Sequence, residues 1–423
     1  MKWNKGKIGT FCILLLIKIS TIQAQVNSVF SMDGKGRMAQ NVFSSNRLMG
    51  DMAASYSSHL NINPLNPASY SNASLTLIDF GFKGENGSVK YNDSTKTSGG
   101  LGPSHLAFLF PLKMNKWGLS FGMSNSSQVN YNFYNTNNDA TFGTVKNTLS
   151  AEGNLYKTYI GTGFKVKEFS FGANIGLEFG NKKAVNDYSF IDSLFLPKIR
   201  NRVSTSNTNF YYNLGVQYTK DLNKKNTIQI GAFYLSDFSN AASDQIVRES
   251  ITQLSGGTNK TRTLQDTTIS YSAPSFSQFG LGISYIHNKS TTFAFEYQMR
   301  DFSNFRTYNQ DANLNKAWSL HTGVEIRPFQ NPNINLRKYF NRVVYRGGVV
   351  LGKSEFNIPG TFNELKLTGG LSLPVLSRTL SYITLGAEYH QIGFDSKAQS
   401  ESYFKFIAQI TFGDRWFVRP KFD

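Results

Sequence analysis

The feature that most limits what this chain can fold into is a strict two-residue alternation of apolar with small or polar residues. Over residues 169–180, one face carries Phe, Ala, Ile and Leu, and the other carries Ser, Gly, Asn and Glu. The same period recurs at 117–124 and 293–300. Successive side chains of a β-strand point to opposite faces, so the pattern predicts strands whose two faces meet different environments.

The residues of the second face decide between a soluble sheet and a membrane barrel. A soluble sandwich would cover its outer face with Lys, Glu and Thr, whereas this face is mostly Gly, Ser and Asn. Such a face suits a crowded polar interior, which leaves the apolar face for lipid. Because every backbone amide in a membrane needs a partner, we predict an all-β fold, a closed transmembrane antiparallel β-barrel with an even number of strands.

Composition excludes other classes. Only the first two dozen residues contain a long apolar run, so a helical membrane protein is excluded. With 35 Phe and 21 Tyr, the chain has too many aromatic residues for a disordered protein. The single cysteine, Cys12, excludes a disulfide scaffold and a thiolate metal site.

The alternation occurs in fourteen segments between residues 75 and 413, the even number that closure requires. The segments are 75–83, 104–112, 117–130, 152–165, 168–180, 206–220, 226–238, 275–287, 291–301, 316–327, 342–354, 363–373, 381–391 and 402–413. Short turns alternate with long polar connections, as in outer-membrane barrels whose short turns face the periplasm. The long connections are expected at one rim, at 84–103, 131–151, 181–205, 239–274, 302–315, 355–362 and 392–401. We expect no secondary structure in the longest of them, 239–274.

The N-terminus indicates export from the cytoplasm. Lys2, Lys5 and Lys7 precede an apolar stretch, and the small residue Ala24 follows it. Residues 1–24 are therefore predicted to be a secretory signal peptide. Together with the barrel, this segment predicts a location in the bacterial cell outer membrane, with outer-membrane lipid as a partner and nucleic acid excluded. Residues 414–423 would form a basic, aromatic C-terminal tail.

Residues 25–74 do not alternate like the rest. Helix-compatible residues at 47–55 lead into a proline-punctuated turn at 62–70, just before the first predicted strand. The polar lumen of a fourteen-stranded barrel would otherwise be an open channel. We therefore predict that 25–74 is a hatch folded into the lumen.

This segment resembles the hatch of the FadL-like long-chain fatty-acid transporter family. Gly50 lies in a run of small residues, and Asn66, Pro67 and Ala68 follow shortly before the first strand. The family has fourteen strands and an Asn-Pro-Ala motif in its hatch. The resemblance implies passive uptake of hydrophobic molecules through the lumen, controlled by movement of the hatch. The long connections are mostly polar, with one apolar cluster that would either catch a greasy ligand or cap the loops: Phe190, Ile191, Leu194, Phe195 and Leu196.

The alternation turns a set of charged residues toward the lumen. Charges in a confined space normally pair, so they would either tie the wall to the hatch or line a polar permeation path. The histidines are scattered, and no Ser/His/Asp or metal-ligand grouping stands out, so no enzyme, metal or cofactor is predicted. The charged residues are Glu178, Glu296, Arg300, Glu325, Arg327, Arg346, Lys366, Glu388 and Lys405.

Aromatic and basic residues gather at the predicted strand ends. Five rings would form a girdle at the membrane interface: Trp117, Tyr218, Trp318, Tyr382 and Trp416. The predicted turns and tail carry sixteen basic and four acidic residues. This charge would either anchor the rim to anionic phospholipid headgroups or dock an acidic periplasmic protein.

Two functions follow from these features. The first is passive uptake of a hydrophobic or amphipathic small molecule across the outer membrane. The second is a non-transporting structural or accessory subunit of an outer-membrane protein complex, in secretion or barrel-assembly machinery. The hatch favours the first function, and the polar connections favour the second.

Overall fold

A computed structural model describes residues 28, 30–32, 36–39, 42–91, 94–193, 196–253, 259–273, 277–303, 306–307, 310–311, 314–328, 339–358, 360–375, 381–394 and 399–416. The predicted signal peptide and residues 417–423 of the predicted tail lie outside these ranges. So do Leu194 and Phe195 of the apolar cluster. No helix in the described part of the chain is long and apolar enough to cross a membrane.

The described residues form eighteen strands and a few short helical turns. The helical turns are Phe30–Met32, Ser44–Arg47, Pro67–Asn72 and Tyr339–Arg342. The strands are β1 Arg37–Met38, β2 Thr76–Tyr91, β3 Ser94–Lys113, β4 Trp117–Asp139, β5 Gly143–Val166, β6 Phe169–Phe190, β7 Lys198–Asp221, β8 Asn226–Gln253, β9 Asn259–Ala273, β10 Ser277–His287, β11 Thr291–Asp301, β12 Arg306–Thr307, β13 Gln310–Asp311, β14 Ala317–Ile326, β15 Val344–Lys353, β16 Glu364–Pro374, β17 Tyr382–Ile392 and β18 Gln399–Asp414.

Fourteen of these strands close into one antiparallel barrel. β2 to β8, β10, β11 and β14 to β18 each pair with the next in the series, and β18 pairs with β2. The short strand β1 and the outer strand β9 add to the edges of β4 and β8. The predicted fourteen-stranded antiparallel barrel is therefore confirmed, and each of its strands overlaps one of the alternating segments.

The two faces of the sequence alternation are the outer and inner faces of the barrel wall. In β11, Phe293, Phe295 and Tyr297 are exposed on the outer surface, whereas Ala294 and Glu296 are buried. The outer surface is thus a band of Phe, Ile, Leu and Tyr side chains, the surface that lipid requires.

The two rims of the barrel differ. At one end, which we call the turn rim, tight turns join β3 to β4, β5 to β6, β7 to β8 and β10 to β11. The turn at Asn288 and Lys289 has two positive φ angles, the backbone of a type I′ hairpin turn. At the other end, strands β4 to β8 are 22 to 28 residues long, far more than the roughly ten that a span needs. Their surplus and β9 form a sheet beyond the barrel, which we call the wing.

The wing corrects the prediction for the long connections. Residues 131–151, 181–205 and 239–274 were expected to be loops, but 131–139, 143–151, 181–190, 198–205, 239–253 and 259–273 are in strands of the wing. Likewise, 84–91 and 94–103 are the paired ends of β2 and β3. Many side chains on both faces of these strand ends are polar, so their sequence shows no regular apolar alternation and gives no strand signal.

Four of the five predicted girdle rings, including Tyr382 at the start of β17, lie at the turn rim. Trp117 donates from its indole nitrogen to Thr162 Oγ1 over 2.8 Å, and the Tyr218 ring lies 4.8 Å from that of Phe169. Trp416 lies 5.9 Å from the Phe110 ring. Tyr382 differs from the other three in that it packs against the interior cluster. Trp318, near the start of β14, lies at the opposite end of the barrel.

We expect an outward charge to be costly only within the barrel. Ile175, six residues from the turn-rim end of β6, is 63% exposed and faces outward near mid-membrane. Ile175→Arg should destabilise the protein by about 2–4 kcal/mol, measured as urea unfolding in phospholipid vesicles. Ile269→Arg on β9 of the wing is the matched control and should cost less than about 1 kcal/mol. Equal costs at both sites would contradict the lipid-facing assignment.

Candidate functional site

The interior of the barrel is occupied by residues 42–75, which we call the lumenal segment. Its apolar side chains Leu48, Met49 and Leu65 are fully buried. The segment contributes Phe43, Leu65 and other residues to a cluster that also contains Phe233 of the wall. The middle of the molecule is therefore packed like a protein core, although its wall is largely polar.

The lumenal segment makes a tight turn near its C-terminal end, at Asn66, Pro67 and Ala68. The side chain of Asn66 accepts from the Ala68 N–H over 3.2 Å and so caps the helical turn that Pro67 begins. Its amide nitrogen donates to the carbonyl of Ala54 over 2.6 Å and to that of Ala232 in β8 over 3.3 Å. One asparagine therefore joins two parts of the segment to the wall.

Wall glycines make room for this turn. A Cβ on Gly172 would overlap the backbone of Pro67 and Ala68, and a Cβ on Gly215 would overlap the side chain of Asn66. The inward glycines of β6 and β7 thus let the backbone of the segment lie directly on the backbone of the sheet.

Gly50 makes a second close contact with the wall, against β14 and β15. Its φ of +72° is in the left-handed region, and a Cβ there would lie 2.8 Å from the carbonyl oxygen of Thr322. The N–H of Gly50 lies 3.0 Å from Thr368 Oγ1, and its carbonyl oxygen lies 2.8 Å from Nδ1 of His321. Gly50 is thus required by both conformation and space.

Glu296 binds the backbone of the lumenal segment. Its fully buried carboxylate accepts from the N–H groups of Ala53 and Ala54, over 2.9 and 2.7 Å. Gln298 donates to its other oxygen over 2.7 Å. Two backbone N–H groups of the segment thus share one wall oxygen, so Glu296 fixes this part of the segment in place.

Glu325 and Arg346 form a second attachment. Glu325 accepts from the Tyr56 hydroxyl over 2.5 Å, and both Arg327 and Arg346 donate to it from Nε over 2.7 Å. Arg327 also reaches Ser58 of the segment over 2.8 Å. The lone carboxylate is therefore compensated by two guanidinium groups.

A chain of ion pairs links Arg300 to the segment indirectly. Lys366 Nζ lies 3.5 Å from Asp51 of the segment and 3.1 Å from Glu364. Arg300 lies 3.4 Å from both Glu364 and Glu355. Arg300 therefore contributes to the network through other wall residues, and the sequence analysis overlooked Asp51 and Glu364.

Two further predicted charges differ in their partners. Glu388 pairs with Lys405 over 2.5 Å and lies 4.0 Å from Arg47 of the segment. Glu178 accepts from Ser126 and lies near Lys157, both of them on the wall. Eight of the nine predicted charges therefore belong to the attachment of the segment, directly or through a neighbour, whereas the hydrogen bonds and ion pairs described for Glu178 lie within the wall.

The structure brings together a serine, a histidine and an aspartate that the sequence analysis did not group. Ser104 Oγ lies 3.0 Å from Nδ1 of His105, and His105 Nε2 lies 3.8 Å from Asp79 Oδ2. The last distance is too long for a hydrogen bond, and the adjoining cavity of about 20 Å³ holds little more than one water molecule. The His105 ring stacks on Phe43 at 3.9 Å, so the trio supports the lumenal segment.

The barrel wall is interrupted above this trio. β3 and β4 pair only from the turn rim to His105 and Ser124, and beyond that point β3 pairs with β2 alone. In this gap β1 adds to the free edge of β4, with Met38 opposite Ser127. Arg37 next to it forms an ion pair with Glu85 of β2. Residues 36–39, which we call the strap, thus bridge the two sides of the gap.

The wing carries an open groove of about 640 Å³. Its apolar lining includes Phe142 and Phe190, whose rings lie 5.5 Å apart, together with Ile199 and Leu264. Phe190 belongs to the apolar cluster of the sequence analysis, so part of that cluster lines a surface groove. Among the described residues, no group of three or more His, Cys, Asp or Glu side chains could hold a metal ion.

Several solved structures have a similar fold. The Pseudomonas aeruginosa FadL homologue is 10% identical, with a TM-score of 0.63 over 89% of this chain and 99% of that one. The Ralstonia pickettii toluene transporter TbuX is 12% identical, with a TM-score of 0.62 over the same shares. The Pseudomonas putida toluene transporter TodX is 14% identical, with a TM-score of 0.59 over 90% and 99%.

At these identities the likeness shows the fold, and the resemblance to FadL-like barrels is confirmed at that level. No curated protein matches the sequence. A family model described as BamG matches residues 6–423, which is nearly the whole chain. The chain therefore belongs to the BamG family and has the barrel fold of FadL-like transporters.

Proposed function

We propose that the protein is an outer-membrane route for passive uptake of hydrophobic or amphipathic small molecules. The observation that carries this proposal is the gap in the β3–β4 ladder, which the strap and the side chains of Lys96 and Asn125 cross. It begins eight residues from the turn rim, in the outer part of the apolar band. A solute that displaced the strap would pass laterally from the lumen through the barrel wall into the lipid.

The side chains beside the gap suit such a solute. Leu106 of β3 and Met123 of β4 are exposed apolar residues just below the end of the ladder. A greasy molecule leaving the gap would therefore move onto apolar surface rather than into water, which is favourable by the area it buries.

The lumenal segment acts in this proposal as the hatch. Glu296, Glu325 and the turn at Asn66 fix it at separate points, so the direct path along the barrel axis is closed. Opening needs movement of the strap and the adjoining start of the segment, which contain fewer of these attachments.

The wing groove would provide the first capture site. Its Phe142, Phe190 and Leu264 side chains offer apolar surface above the membrane. The relatives named as toluene transporters support a small hydrophobic substrate.

A second candidate function is that of a non-transporting subunit in an outer-membrane protein complex. The number of ion pairs and hydrogen bonds that fix the lumenal segment favours it, because a segment held this firmly fills the barrel as a permanent core. The exposed apolar groove of the wing would then contact a protein rather than a solute.

Locking the strap should stop transport. Met38→Cys with Ser127→Cys places two cysteines on opposed strand positions, where a disulfide can form. Oxidation should reduce uptake of a hydrophobic fluorescent probe at least tenfold, in vesicles whose outer leaflet is lipopolysaccharide, and a reductant should restore it.

The control for this lock is Ser206→Cys with Ser243→Cys, an opposed pair within the continuous β7–β8 ladder. Its oxidation should leave uptake unchanged. Unchanged uptake in the oxidised strap variant would contradict a route through the gap.

Removing the Glu296 carboxylate should loosen the hatch. Glu296→Ala leaves the buried N–H groups of Ala53 and Ala54 without their acceptor, which costs about 2–4 kcal/mol. Hydrogen exchange at these two amides should accelerate, and probe uptake should rise. Glu296→Gln keeps an oxygen acceptor and should change both less. Faster exchange without faster uptake would favour the second candidate function.

The second candidate predicts stable partners. Extraction in mild detergent followed by affinity purification should then recover other envelope proteins in fixed stoichiometry. Phe142→Ser with Leu264→Ser in the wing groove should release these partners. Lys90→Gln, at the same end of the molecule but outside the groove, should not. Recovery of the barrel alone would count against this candidate.

A further inference from the structure

The turn rim carries an arc of lysines. Four consecutive turns hold eight of them, and only two acidic residues, Glu168 and Asp221, lie among them. None of the eight forms an ion pair within the described part of the chain. The lysines are Lys113, Lys116, Lys165, Lys167, Lys220, Lys224, Lys225 and Lys289.

Backbone hydrogen bonds between the turns make this arc continuous. The Lys165 N–H donates to the Lys116 carbonyl over 2.7 Å, and the Thr219 N–H donates to that of Glu168 over 2.9 Å. The next pair of turns is joined from the Asn288 N–H to the Lys225 carbonyl over 2.6 Å. The lysines therefore follow one another around the rim from β3 to β11.

The arc lies directly against the apolar band. Leu112, Val166 and Leu222 are each about half exposed, and each lies within two residues of a lysine of the arc. The greasy outer surface thus continues to the turns themselves. In a membrane, the ammonium groups would lie at the level of lipid headgroups rather than free in the periplasm.

An apolar furrow reaches the outer wall beside the last turn of the arc. It has a volume of about 470 Å³ and crosses β10, β11, β14 and β15. Gly347 leaves the furrow open, and its flanks include Tyr285, Phe293, Val324 and Val349. Tyr285 and Phe293 belong to the hairpin whose turn carries Lys289.

We propose that the arc and the furrow together bind an anionic phospholipid of the periplasmic leaflet. The headgroup phosphate would lie between Lys225 and Lys289, whose turns are hydrogen-bonded to each other. One acyl chain would lie along the furrow, against Phe293 and Val324. This site is separate from the gap and the wing groove, so it does not depend on the proposed function.

The position of the furrow favours a lipid over a protein. The furrow is on the outer wall of the barrel, where a membrane surrounds the protein and a soluble domain has no access. The headgroup charge and the chain groove are adjacent, as in one amphipathic ligand. An acidic protein would account for the lysines and leave the furrow unexplained.

The test uses nanodiscs of phosphatidylcholine with a minor fraction of phosphatidylglycerol, and native mass spectrometry of the lipid retained by the protein. The natural chain should retain phosphatidylglycerol above its share of the nanodisc. Lys225→Gln with Lys289→Gln should reduce this preference by about fivefold for each lysine. Lys90→Gln with Lys260→Gln, two exposed lysines at the other end of the molecule, should leave it unchanged.

A second variant tests the furrow without changing charge. A Cβ at Gly347 would meet no atom closer than 3.9 Å, so Gly347→Leu should fold and fill the furrow. Its folding is checked by the shift in electrophoretic mobility on heating. Retention of phosphatidylglycerol should fall severalfold. Unchanged retention of phosphatidylglycerol in either the lysine or the Gly347 variant would overturn the proposal.

Discussion

Backbone amides that face lipid have no water to accept their hydrogen bonds, and the whole structure depends on this constraint. It forces fourteen strands to close on one another, from β2 round to β18. Closure creates an interior about as wide as a small domain. That interior must either hold water or be filled, and the chain fills it with its own residues 42–75.

The filling reverses the usual arrangement of a core. Here the greasy side chains of the wall look outward, and the inserted segment supplies much of the apolar packing, through Leu48, Met49 and Leu65. Inward glycines such as Gly172 and Gly215 bring backbone against backbone. Wall carboxyl groups such as that of Glu296 then accept hydrogen bonds from buried N–H groups of the segment, which has little regular structure of its own.

The sequence predicts what depends on local period and little of what depends on long-range approach. The alternation at 169–180 or 293–300 reveals strands because one face meets lipid and the other does not. The wing strands are not found in this way because both of their faces carry many polar residues. The inward direction of Glu296 and Glu325 follows from parity, yet their partners in the segment lie more than two hundred residues away. Asp79 and His105 meet because β2 and β3 pair with Asp79 opposite Ala107 and Gly81 opposite His105.

The wing has a consequence for what the protein encounters. Strands β4 to β8 continue about twelve or more residues past the bilayer, which is on the order of 40 Å of stiff, hydrogen-bonded sheet. A molecule that approaches the cell from outside would therefore reach the far end of the wing before it reached the lipid surface, and the residues there would select which molecules bind.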